Sequence, residues 1–371
     1  MSAFSIPADI DTPALVVDYS VLQTNLREMA RLCQAAGVML YPHAKTHRTV
    51  AYGRLQIVAG ARGLTVATLD EAEAFADGGI ERLIIAYPLV GAAKLKRALR
   101  LASRVDVTLV ADSLEAAEAL GVVFRTAGQT ANLLVLIDSG LRRCGVEPSE
   151  AADFATKIAR VQGIQLTGIL THEGDVYEAK SHAELIERSR AAAAIMRRSA
   201  ANVRAGGVDI HTISMGASAS ARTVVTEADV TQLRPGIYAF NDLGQIALGN
   251  ATPDSCAARV VSTIISHPSP DRACIDAGSK TLSNDGLGPL GTKIYPGYGL
   301  VVDVPGWQLH RLSEEHGWLR WIGDGPPTRL TIGQRVQIIP NHICPVFSSC
   351  GSSYLIERGE LLARHSVIRR T

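Results

Sequence analysis

The sequence predicts an α/β chain: a (β/α)8 TIM-type barrel followed by a second, mainly β domain. Two patterns and the chain length point to this. Between Val38 and about Asp242, short apolar runs alternate with segments rich in Ala, Leu, Glu and Arg at helical spacing. After about Gly249 the strand-like runs continue, but Gly, Pro, Asp and Asn turns replace the helical segments. At 371 residues the chain is too long for one small core and suits a barrel plus a second domain.

The eight expected barrel strands are VMLYPHA, GLTVAT, RLIIAYPLV, DVTLVAD, NLLVLID, LTGILTHEG, HTISMG and QLRPGIYAF. Continuous β-branched runs separated by helices indicate a parallel sheet covered on both sides. TLDEAEAFADGG shows the helical part of the repeat, with Leu69, Ala72 and Ala76 in phase and Gly78-Gly79 as a stop. A doubly wound open sheet is the structural alternative. It is disfavoured as a dinucleotide fold because no G-x-G-x-x-G follows the first strand. In the second domain the expected strands are ARVVSTIISHP, RACIDAG, YGLVVDV, QRVQIIP and SYLIERGELLARHSVIRR, with no helix among them. The expected division is residues 12–248 for the barrel, and 249–371 together with 1–11 for the β domain. DTPALVVD is a strand able to join either.

Composition excludes several function classes. A net charge of +1 and sparse aromatics argue against a nucleic-acid partner or an anionic membrane surface, which need concentrated basic charge. No apolar run has membrane-spanning length. MSAFSIPADIDTP shows no basic region followed by an apolar one, so no signal peptide is expected. The six cysteines lack a framework spacing and read as reduced thiols, which makes the cytoplasm the expected location.

A barrel converges its strand ends on one mouth, so polar residues there are site candidates. The first end gives His43, Lys45 and His47; if the backbone stays extended, all three share a face. A lysine so placed suits a lowered pKa and a Schiff base with a carbonyl. The fifth end gives Asp138, Ser139 and Arg143, and the sixth His172, Glu173, Asp175 and Tyr177. The seventh, SMGASAS, is a small-residue loop of the kind that holds a phosphate, and Gly236 at the eighth end adjoins it. A strand-one lysine opposite such loops suggests pyridoxal 5'-phosphate (PLP). IIPNHICP carries His342 and Cys344 at i, i+2, which on a strand point the same way and suit zinc, with manganese or magnesium as alternatives. Cys350 and the turn Glu315-His316-Gly317 read as structural or solvated.

PHAKTHR resembles the cofactor-lysine motif of the D-serine dehydratase and D-threonine aldolase family, fold-type III PLP enzymes related to alanine racemase. DTPALVVD, DSGLRRCGV, LTHEGDVY, SMGASAS, RPGIYAFND and PNHICP resemble further family segments in order along nearly the whole chain. The resemblance implies an alanine racemase-like barrel with Lys45 joined to PLP and Arg143 beside its ring. It places His172 and Tyr177 near cofactor or substrate, and gives the phosphate to Ser218 and the backbone of Gly236 and Ile237, with Tyr238 adjoining. It further implies a divalent metal on His342 and Cys344, and a homodimer. The chain departs from the pattern where members carry tyrosine, here Leu170 or Thr171, and where they carry threonine, here Ser218.

The implied substrate is a small β-hydroxy D-amino acid: D-serine, D-threonine or 3-hydroxy-D-aspartate. The His-x-Cys pair and LTHEGDVY resemble the dehydratases, which give a keto acid and ammonia. Retro-aldol cleavage to glycine and an aldehyde, with His172 as base, is the alternative. The metal pair disfavours a racemase, and the second domain disfavours a non-catalytic PLP carrier.

Overall fold

The structure is a computed structural model describing residues 5–369; the expected assignments at 1–4 and 370–371 lie outside the described residues. The first strand, β1 (Ala14–Asp18), runs into the helix Tyr19–Ala35. Asp18 caps that helix by accepting from Val21 N at 3.0 Å. Eight short parallel strands then alternate with helices: β2 (Met39–Leu40), β3 (Leu64–Val66), β4 (Arg82–Ile85), β5 (Asp106–Ala111), β6 (Ala131–Leu136), β7 (Ile164–Leu170), β8 (Thr212–Met215) and β9 (Gln232–Leu233).

The strands pair in the order β2-β9-β8-β7-β6-β5-β4-β3. The two ends of this sheet meet where Thr65 N donates to Pro42 O at 2.8 Å, beside a parallel bridge between His43 and Thr65. The expected barrel is therefore present. Ile84, Val110, Leu134, Leu136 and Leu170 cluster with Tyr41 and Ala86, a packed apolar group of the kind that fills such interiors. Side-chain caps start the outer helices as the sequence indicates. Thr68 accepts from Glu71 N at 3.2 Å, while Glu71 accepts from Ala67 N at 2.8 Å. The helix so begun, Leu69–Asp77, buries Leu69, Ala72, Phe75 and Ala76 and is capped by Gly78.

The second sheet is antiparallel apart from one pairing, and consists of β1 with β10 (Ala258–Ser269), β11 (Arg272–Ile275), β12 (Gly299–Val301), β13 (Trp307–Leu312), β14 (Gly317–Trp321), β15 (Arg335–Pro340), β16 (Ser352–Glu357) and β17 (Glu360–Ser366). β10 is long enough to pair with β1, β11 and β15 along its length. β1 also pairs in parallel with β16. The sheets thus place Ala14–Asp18 in the second domain, whereas a boundary at residue 12 assigns it to the barrel. Its short, continuous apolar run was compatible with either sheet, and only the long-range pairing decides.

Two further expectations are corrected. The second domain does contain helices, Ser279–Leu282, Pro289–Ile294 and Ile343–Cys350; Gly and Pro around them read as turns in the sequence. The lysine-bearing segment also leaves the extended conformation, because β2 stops at Leu40 and Ala44–Thr46 is a 3-10 turn. No helix among the described residues is long and apolar enough to cross a membrane.

Candidate active site

The 3-10 turn separates the two histidines that strand alternation would have grouped with Lys45, because three residues per turn replace two. His43 caps the turn, its Nδ1 accepting from Lys45 N at 3.4 Å, and lines the same cavity as Lys45. His47 turns away into the core. It is fully buried among Tyr52, Phe75 and Phe240, accepts from Thr49 N at 3.0 Å, and pairs with Gln56 at 3.3 Å.

The cavity, about 480 Å³, lies at the carboxyl ends of the barrel strands and is lined on its other side by residues of the second domain. Its size falls within the range of cofactor and small-molecule sites. Of the ten residues to which the family resemblance gives a role, eight line it: Lys45, His172, Tyr177, Ser218, Gly236, Ile237, His342 and Cys344. Two do not. Arg143 is exposed in the loop after β6, although its charge acts on Lys45 and His172. Tyr238 is a backbone neighbour only: its N–H donates to Ser218 Oγ at 3.2 Å, while its phenol is buried and accepts from Gln56 Nε2 at 3.4 Å.

Burial lowers the Lys45 amine from the ordinary lysine value; Cys344 opposes this, and Arg143 and Arg234 reinforce it. A lowered pKa makes the amine a better nucleophile at neutral pH. Burial, followed by the charges of Lys45, Arg234 and Arg143, pushes His172 down to about 3. Its imidazole is therefore neutral and able to accept a proton.

The SMGASAS loop is held from below by Glu173, a fully buried carboxylate that sequence reasoning named but gave no role. It accepts from Gly216 N at 3.3 Å, Ala217 N at 2.9 Å and Ser220 Oγ at 2.5 Å. Those two amides are thus committed within the protein and do not face a ligand. Ser218 Oγ likewise accepts from Gly236 N at 3.1 Å and from Tyr238 N, which leaves its own hydroxyl proton to donate into the cavity. Arg234, also without a role from the sequence, is buried beneath the loop. It donates to Ser214 Oγ at 2.7 Å and to the Thr171 carbonyl. At the positions where the family pattern has tyrosine, Leu170 packs in the barrel interior, and Thr171 donates to Ile137 O at 2.8 Å.

His342 and Cys344 do not lie on a strand as expected. β15 ends at Pro340, His342 caps the helix Ile343–Cys350, and Cys344 is in its first turn. The two side chains nevertheless lie close enough for each to shift the other's titration. For His342, burial is outweighed by the Cys344 sulfur and by Asp242 and Asp285, so the imidazole titrates above its usual range. For Cys344, burial is outweighed by His342 and Lys45, so the thiol titrates below its usual range. Asp285 binds His342 Nδ1 at 2.7 Å, which orients the ring and leaves Nε2 as the nitrogen free of that contact. Cys344 Sγ lies 3.4 Å from Thr46 Oγ1, one residue from Lys45. Asp242, buried at the end of the barrel, accepts from Ile343 N at 3.1 Å and so fastens this helix to the barrel. Among the described residues, no group of three or more His, Cys, Asp or Glu side chains is arranged to hold a metal. The pair is thus an open two-donor site. Cys350 lies outside the cavity, and burial pushes its thiol up to about 12. Glu315 pairs with Lys280 at the surface at 2.8 Å.

The family model described as alanine racemase, N-terminal domain matches residues 17–243. The chain belongs to this alanine racemase-like family. A serine dehydratase domain model matches residues 257–356, the part that carries the His342–Cys344 pair. The chain is 34% identical to D-threo-3-hydroxyaspartate dehydratase of Delftia sp. over 90% of its own length and 91% of that protein. It is 29% identical to D-threonine aldolase of Arthrobacter sp. over 92% and 88% of the two chains. A D-threo-3-hydroxyaspartate dehydratase mutant solved in the metal-free form superposes with a TM-score of 0.90 at 30% identity, covering 98% of this chain and 99% of that one.

Proposed function

We propose that this alanine racemase-like protein is a PLP- and metal-dependent lyase of small β-hydroxy D-amino acids, acting as a dehydratase that yields a keto acid and ammonia. The observation that carries this reading is the opening of the Lys45 amine and the His342–Cys344 pair into one cavity. A racemase has no use for the second of these. Family membership and the names of the full-length relatives support the lyase class.

The residues present fit both groups. Lys45 would hold PLP, with Ser218 and the turn at Gly236 and Ile237 on the phosphate side and Arg234 beneath. Bound PLP supplies an electron sink for the charge left at the substrate α-carbon. His342 and Cys344 would hold a divalent cation, zinc by donor type, which supplies Lewis-acid charge stabilisation at the β-oxygen. The metal-free form of the related dehydratase mutant is consistent with a metal in that enzyme.

The protein's own groups divide the remaining work. The Lys45 amine, lowered by burial, is placed to take the α-proton. Neutral His172 across the cavity can hold a proton passing to or from the β-substituents. Asp285 keeps the His342 ring turned to its task, and the second domain lines one side of the cavity. Product analysis with D-serine, D-threonine and 3-hydroxy-D-aspartate tests the reading. Keto acid with ammonia is expected. Glycine with an aldehyde would instead establish the aldolase reaction, which the Arthrobacter relative's name represents.

A further inference from the structure

In the proposed reaction the β-hydroxyl sits at the His342–Cys344 pair, so the rest of the β-carbon's substituents must lie against the adjoining wall. That wall is formed by the segment that follows Asp285 and by the helix Leu243–Ala247 with its cap. Its side chains are Leu287, Leu290, Ala247 and Leu248. Gly288 lets the segment dock closely: a Cβ there would lie 2.3 Å from the Tyr177 carbonyl oxygen. Leu290 packs with Tyr177 against the Val176, Ala217 and Leu248 cluster, and Leu287 against Leu243 and Ile339.

Charge on this side is acidic. Asp285 is bonded to His342, Asp242 is buried behind it, and Glu178 also lines the cavity. Among the described residues, the only lysine or arginine side chains lining the cavity are Lys45 and Arg234, both from the barrel, and Arg234 is already bonded to Ser214 and Thr171. A second substrate carboxylate at this wall would lose water and face like charge, with no lysine or arginine of the wall to pair with it. An alkyl or aryl group would be dehydrated favourably against the leucines.

Resting on the lyase reading above, we infer that the substrate's β-substituent is apolar and uncharged, in contrast to the hydroxyaspartate named for the Delftia relative. Leu287 and Leu290 are the specificity-determining residues. The experiment uses the full chain loaded with PLP and a divalent metal, and compares kcat/KM for D-threonine, β-phenyl-D-serine, D-serine and 3-hydroxy-D-aspartate. D-threonine or β-phenyl-D-serine should exceed 3-hydroxy-D-aspartate by about a hundredfold, the scale on which a pocket without a polar partner rejects a polar group. Leu290→Arg should raise the ratio of 3-hydroxy-D-aspartate to D-threonine at least about tenfold, and Leu287→Ala should lower the preference for the phenyl substrate. Each ratio is taken within one protein, so a loss of folded fraction cancels. Equal or better use of 3-hydroxy-D-aspartate by the unmodified enzyme would overturn the inference and leave the lyase reading intact. Turnover of none of the four would overturn both.

Discussion

On the barrel side of the cavity, Lys45, Ser218 and Gly236 follow the ends of parallel strands, and main-chain ladders set their positions. On the β-domain side, His342, Cys344 and Leu287 stand in turns and a short helix, fixed by side chains such as Asp285 and Asp242. The electrostatics differ in the same way. The barrel face is cationic and buried, and it drives the imidazoles of His43 and His172 down. Around His342, the Cys344 sulfur and Asp285 of the β domain, with Asp242 from the barrel end, outweigh burial and drive the imidazole up. Under the proposed function the contrast reads as a division of labour: a barrel face that would hold the cofactor, and a β-domain face that would select which bond to the β-carbon breaks and what that carbon carries.

Separate removal of the two faces is the sharpest way to break this comparison. Lys45→Ala should abolish the borohydride-reducible absorbance and cut activity by about four orders of magnitude, the scale seen when a catalytic nucleophile is lost. Exhaustive chelation should instead remove activity while the reducible absorbance persists. Loss of both signals under chelation would show that the faces are not independent. A smaller effect is expected one shell out. Asp285→Asn should weaken metal affinity or activity about 10- to 100-fold, read by metal titration of the cofactor-loaded protein, because the carboxylate orients His342. An unchanged metal affinity would remove Asp285 from the site.

The smallest effect concerns pH. His43, His47 and His172 all have folded-state values below the free imidazole, largely through burial, with His47 at about 4 and His172 at about 3. Unfolding therefore takes up protons below about pH 6.5, the ordinary histidine value. Stability of the cofactor-free protein should be full above that pH and fall as the pH drops from about 6.5 towards 4. Denaturant titrations across that window should give an uptake of up to three protons from these groups. A flat profile would contradict their burial as neutral rings.

Much of the barrel face was legible in the sequence because local patterns carry it. Eight apolar runs in a βα rhythm, a Gly78-Gly79 helix stop and a small-residue loop at 216–220 each signal themselves over a few residues. The same local logic failed just past the strand ends. His47 shares a two-residue spacing with Lys45 and yet belongs to an aromatic core, because a 3-10 turn intervenes. His342 and Cys344 line one cavity together, but on another conformation than expected: a helix start holds i and i+2 where a strand was expected. Glu173 and Arg234 stood in plain view as charged residues at strand ends. Their work is internal, gathering amides and carbonyls from loops over 40 residues away, as in the Glu173 contact with Ala217.

What the sequence determined by itself was the barrel, the lysine past its first strand, the small-residue loop at 216–220 and the presence of a His-x-Cys pair, since each depends on residues close together in the chain. What only the tertiary structure decided was the assignment of Ala14–Asp18 to the second sheet, the bond from Asp285 to His342, and the leucine wall of the cavity that the His342–Cys344 pair also lines. These depend on contacts such as Asp285 with His342, 57 residues apart, and the pairing of Ala14 with Val261. Chain separations of that size leave no periodic trace, because the energy that fixes them comes from packing between elements and not from any preference within one.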